Sequence, residues 1–147
     1  MIKVVDTNYS KLPPQVANVP ASTTITAGSL LASDFTNKGL IPATAASTVL
    51  TIMGIATQSV ASSASVQQVN FVPVDQAVYV VADCTNNTAA NQLCIRHILT
   101  DANTIANTST NITINTGVFY ALGTVGAASD KKLYGYFIKV GQNPAAS

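Results

Sequence analysis

Short apolar runs broken by Gly, Asn, Asp or Pro recur along the whole chain, and few of them repeat at the 3.6-residue spacing of a helix. The runs are rich in Val, Ile and Thr, whose branched side chains fit a pleated, half-buried surface. The pattern predicts strands over Ile2–Val5, Thr23–Thr26, Ser29–Ala32, Ile52–Gln58 and Val66–Val74. Five more are expected over Ala77–Ala82, Leu93–Leu99, Asn111–Ile114, Val118–Val125 and Leu133–Val140. Asp34 to Gly39 reads as a turn, because Asp, Asn and Gly all accept turn geometry. Gly28, Gly54, Gly117, Gly123 and Gly135 fall in or beside these runs, where glycine marks bulges and sharp bends of the kind a small barrel needs at its corners. Ala43–Leu50 and Leu99–Ile105 are the only places where a short helix is expected. The fold class is therefore all-β: a small barrel or sandwich with at most one or two short helices.

The first twenty residues differ from the rest. They hold Pro13, Pro14 and Pro20 and no Gly. Each proline fixes its own φ and pushes the preceding residue toward extended geometry, so a helix or a central strand is excluded there. Residues 1–20 are read as an extended N-terminal arm, residues 21–140 as one β-rich domain and residues 141–147 as a loose tail. The arm is expected to reach a neighbouring chain by strand addition, through Ile2, Val4, Val5, Tyr9, Leu12, Pro13, Pro14 and Val16. The plainer reading is a frayed terminus.

Length and charge narrow the picture. A chain of 147 residues is the size of one domain. Only 9% of residues are charged, against roughly 25% in an average soluble domain. There is no Glu, and Arg96 and His97 are the sole Arg and His. Six scattered lysines and one Arg make no basic face, so nucleic acid is not an expected partner. With 48% hydrophobic residues the chain has enough apolar surface to fold, and so little charge suits a surface covered by neighbours. No apolar run approaches the ~18 residues that span a bilayer, and the start of the sequence shows no secretory h-region. A cytosolic product is therefore expected, with no membrane partner. The four Asn-x-Ser/Thr triplets, beginning at Asn8, Asn86, Asn107 and Asn111, then count as chance products of an Asn/Thr-rich chain.

Candidate chemistry is sparse. Cys84 and Cys94 flank a polar loop between two apolar runs, so a hairpin could bring them together as a disulfide; the alternative is two small buried hydrophobes. Cys84, Cys94 and His97 lack the close cysteine pair of common zinc motifs. Cys94 and His97, three apart on a strand, would face opposite sides, so they do not make a nucleophile–base pair. The six aspartates are dispersed and mostly adjoin turn residues. No catalytic residue, metal site or cofactor is expected, and the chain is read as not an enzyme.

Several stretches together carry a resemblance. Ile25-Thr26-Ala27-Gly28-Ser29-Leu30-Leu31, then Gly39-Leu40-Ile41-Pro42-Ala43 and Met53-Gly54-Ile55-Ala56-Thr57, resemble the opening of the capsid decoration (head cement) proteins of tailed bacteriophages. Val69-Asn70-Phe71-Val72-Pro73-Val74-Asp75-Gln76-Ala77-Val78-Tyr79 is similar to a middle segment of related phage structural proteins. Asn115-Thr116-Gly117 and Asp130-Lys131-Lys132-Leu133 resemble the closing turn and final strand. The resemblance spans roughly residues 23–140. It implies a small β fold without a catalytic site that sits on the outer capsid surface of the virion, as homotrimers at threefold and quasi-threefold positions, and stabilises the shell by binding the major capsid protein. Two other classes share the composition: a secreted pilus, fibre or surface-layer subunit that assembles by strand addition, and a small carbohydrate- or host-binding β module.

Overall fold

The computed structural model describes residues 1–7, 15–107 and 116–140. Eleven strands are described: β1 (Ile2–Thr7), β2 (Gln15–Val19), β3 (Leu30–Asp34), β4 (Gly39–Pro42), β5 (Ile52–Ala56), β6 (Gln67–Pro73), β7 (Val78–Cys84), β8 (Arg96–Asp101), β9 (Thr104–Ala106), β10 (Phe119–Thr124) and β11 (Lys132–Phe137). Two single 3₁₀ turns, Ala90–Gln92 and Ala128–Asp130, are the only helical pieces among the described residues. The protein is all-β, as its patterning predicts.

The strands form two sheets. One runs β1-β7-β11-β10-β8-β9, and a parallel pairing of β9 with the end of β7 (Asp83 with Thr104, Cys84 with Ile105) closes its last five strands into a barrel. β1 is an extra strand on the same edge of β7 that β9 meets farther along. The other sheet runs β2-β6-β5-β3-β4 and curls until its edges approach: a Cβ on Gly39 of β4 would lie 2.8 Å from the Asn18 carbonyl oxygen of β2.

Strand alternation explains the packing. On β7, Val78, Val80, Ala82 and Cys84 point into the barrel while Tyr79, Val81 and Asp83 are half-buried on its outer face. β3 behaves differently because both of its faces are covered. Leu30 and Ala32 join the main core with Ile52, Ile55 and the barrel interior, whereas Leu31 joins a second core with Val19, Leu40, Val69 and Phe71 inside the curled sheet. Two-sided burial is why this stretch reads as a continuous apolar run.

Four expectations are corrected. Residues 2–7 and 15–19 do not leave the subunit: β1 pairs antiparallel with β7, and β2 pairs with β6, so both belong to the folded domain. Ala43–Leu50 is not a helix. The hydroxyls of Thr44, Ser47, Thr48 and Thr51 hold the local backbone in successive turns, for example Thr44 N–H to Ser47 Oγ at 3.0 Å and Thr48 N–H to Thr51 Oγ1 at 3.0 Å. Leu99–Ile105 is the β8–β9 hairpin, turned by Asp101, whose carboxylate accepts the Asn103 N–H at 2.7 Å. Thr23–Thr26 forms no strand; Ile25 makes a single bridge to Val60. The expected strand over 111–114 lies outside the described residues.

Candidate interaction surface

An apolar groove of about 420 Å³ opens between the curled sheet and the end of the barrel. Ile52, Phe71, Pro73 and Val74 line it together with Leu50, Met53 and Val140, and Gln15 and Lys139 add its polar atoms. Leu50, Met53 and Val140 are 65%, 42% and 53% exposed, large values for apolar side chains gathered in one place.

Local structure puts them there. Thr48 and Thr51 close a turn in which Val49 goes into the core and Leu50 is left outside. Met53 is the outward residue of β5, between buried Ile52 and Gly54. Beyond β11, Ile138 is buried and donates its N–H to the Val118 carbonyl at 2.8 Å, which sends Lys139 and Val140 along the groove. Lys139 Nζ lies 3.7 Å from Asp75 Oδ2, and the Asp75 side chain is largely buried while its other oxygen caps the Ala77 N–H at 2.9 Å. The site thus has an apolar body and one cation at its edge.

The outer face of the barrel carries a second feature. Tyr79, Tyr134, Tyr136 and Tyr120 form a row across β7, β11 and β10, with ring centroids 5.6 Å apart for Tyr79–Tyr134, 6.5 Å for Tyr79–Tyr136 and 5.5 Å for Tyr120–Tyr136. Burial and the neighbouring Tyr120 and Tyr79 raise the Tyr136 pKa, while Arg96, the β8 partner of Tyr120, works against the rise. These are cross-strand pairs that stabilise the sheet. At the other end of this face Lys132 Nζ bonds Asp83 Oδ1 at 2.5 Å. Burial works to raise the Asp83 pKa, but that bond and the Met1 ammonium outweigh it and hold the carboxyl below its usual range.

Of the residues expected to bind a neighbour, the described ones are not gathered in one place. Ile2 is buried in the main core opposite Ala82, and Val4 is half-buried opposite Val80, so neither is free to pair elsewhere. Val5 and Val16 are exposed, on β1 and β2. Tyr9, Leu12, Pro13 and Pro14 lie outside the described residues. Cys84 and Cys94 are free thiols rather than a disulfide. Cys84 is buried, which pushes its pKa up to about 11, and Cys94 is exposed in the loop before β8 with φ +59°. Sequence reasoning missed Leu50, Met53 and Val140. The one signal available was Met53 in an otherwise small and branched strand.

No group of three or more His, Cys or Asp side chains that could hold a metal ion occurs among the described residues. Comparison with protein-family models and with curated proteins finds no match to this chain.

Proposed function

We propose that the chain is a structural virion protein, a cement or decoration protein that binds the outer surface of a tailed-phage head as a homotrimer and stabilises it. The observation that carries this reading is the apolar groove with Leu50, Met53 and Val140 at the surface of a chain with only 9% charged residues. Burying each such side chain against a shell protein is worth roughly 1.5–3 kcal/mol, and a sparsely charged surface loses little hydration when covered. The resemblance of residues 23–140 to phage decoration proteins points the same way. Strand donation by a free arm loses support, because β1 and the β2 segment are paired inside the chain.

Particles from cells carrying the gene should contain this chain in amounts comparable to the major shell protein, by mass spectrometry and electron cryomicroscopy. Leu50→Asp combined with Met53→Asp should leave thermal unfolding nearly unchanged and reduce retention on particles at least tenfold. Full retention would remove the groove from the interface, and absence of the wild-type chain from particles would overturn the reading.

A further inference from the structure

The loop between β7 and β8 is stitched to the barrel by buried amides. Gln92 Oε1 accepts the Ala89 N–H at 3.0 Å and Asn107 Nδ2 at 3.1 Å, and Gln92 Nε2 donates to the Asn107 carbonyl at 3.1 Å. Asn107 in turn holds Asn86, through its N–H at 2.9 Å and its carbonyl at 3.0 Å. Gln92 and Asn107 are both buried. The network reaches the β8 strand between His97 Nε2 and the Gln92 carbonyl at 2.8 Å.

Chemistry fixes the protonation state of that contact. A carbonyl only accepts, so Nε2 carries the hydrogen, and in the neutral ring Nδ1 then keeps its lone pair. His97 is wholly buried, and among the described residues no group pairs with Nδ1. A second proton would place a charge and a new donor where no acceptor from these residues stands. The ends of the loop are tied separately, Thr85 N–H to the Ile105 carbonyl at 3.0 Å and Cys94 N–H to the Ala121 carbonyl at 2.8 Å. We propose that His97 and Gln92 form an acid-sensitive latch, which holds the middle of the loop, residues 86–93, against the barrel at neutral pH and releases it in mild acid. Opening this loop lifts Gln92 from the imidazole and lets water reach it, at less disruption than opening the barrel itself.

Charged neighbours do not compensate. Arg96 and Tyr120 belong to the outer face, as do Lys132, Tyr134 and Tyr136 of β11. β9 has no titratable residue, and Cys84 of β7 is kept neutral by burial throughout this range. Burial lowers the His97 pKa below 6.5, only partly offset by the Gln92 bond. The sign follows. Above 6.5 the imidazole is neutral in both states and the closed loop is fully favoured. As pH falls from 6.5 toward the closed-state pKa, the open state binds the proton first, and opening rises by up to about tenfold per pH unit.

Amide exchange followed by NMR tests this on the whole protein. Protection factors at Asn86, Thr88 and Gln92 should fall below pH 6.5 relative to those of Tyr134 and Tyr136, and His97→Gln should abolish that difference. The single imidazole gives one resolved titration, expected with a midpoint below 6.5. Identical pH dependence in wild type and variant would overturn the latch. So would an imidazole midpoint at or above 6.5, which decides the matter even if His97→Gln does not fold.

Discussion

Cys84 and Cys94 show what a pair of residues reveals in a sequence and what it hides. Their spacing and polar loop are compatible with a disulfide across a hairpin, yet residues 85–95 form a wider loop held by Gln92 and Asn107. Which amides are buried is decided by β9, which no local pattern announces. Cys94 adopts a left-handed conformation that costs a side-chain-bearing residue about 1 kcal/mol, so Cys94→Gly should raise stability by about 0.5 kcal/mol once the looser unfolded chain is counted. Cys84→Ser puts a hydroxyl into the barrel interior and should lower stability by about 1–2 kcal/mol without preventing folding. Urea unfolding of the two variants, with and without reductant, checks both values. A reductant-dependent shift in the wild type would restore the disulfide.

At the level of elements, the strands β5, β6, β7, β10 and β11 were legible because branched residues in the first three and aromatic ones in the last two are bounded by turn signals. β2 was not, since its polar surroundings and the prolines at 13, 14 and 20 suggested a detached arm; its pairing with β6 buries only Val19. β9 has three residues, too few for any period to show. The 43–50 segment lost its helix to hydroxyl–backbone bonds, an outcome that depends on how each side chain turns. Two glycines expected at bulges or bends do sit beside register shifts, Gly135 opposite the one between Ala121 and Gly123 and Gly54 opposite the one between Leu31 and Ala32. They are close-contact positions as well. A Cβ on Gly135 of β11 would run into the Tyr120 carbonyl oxygen of β10, and one on Gly54 of β5 would run into the Phe71 ring of β6. Gly135→Ala meets rigid backbone and should cost about 3 kcal/mol, whereas Gly54→Ala also strains the second core. Thermal melts should rank both well below wild type, and a Gly135→Ala melt unchanged within error would contradict the β10–β11 register.

For the molecule as a whole, the all-β class was readable from composition and period, but the groove was not, because it joins residues 15, 50–53, 71–74 and 139–140 from distant parts of the chain. The proposed trimer should appear in light scattering at tens of micromolar as a mass three times 15.2 kDa, and a species of one chain mass at that concentration would count heavily against it, unless trimers form only on the shell. Topology has a further consequence, for synthesis. β1 pairs with β7, matching Ile2 to Ala82 and Val4 to Val80, while all of β2 to β6 lies between them in the sequence. On the ribosome the curled sheet can therefore emerge and form while the first strand still has no mate. That strand waits with Ile2 in water until the residues near 84 have cleared the exit tunnel, and any β7 already exposed on a neighbouring nascent chain competes for it in the meantime. High local concentration of ribosomes on one message would thus favour exchange of the first strand between copies.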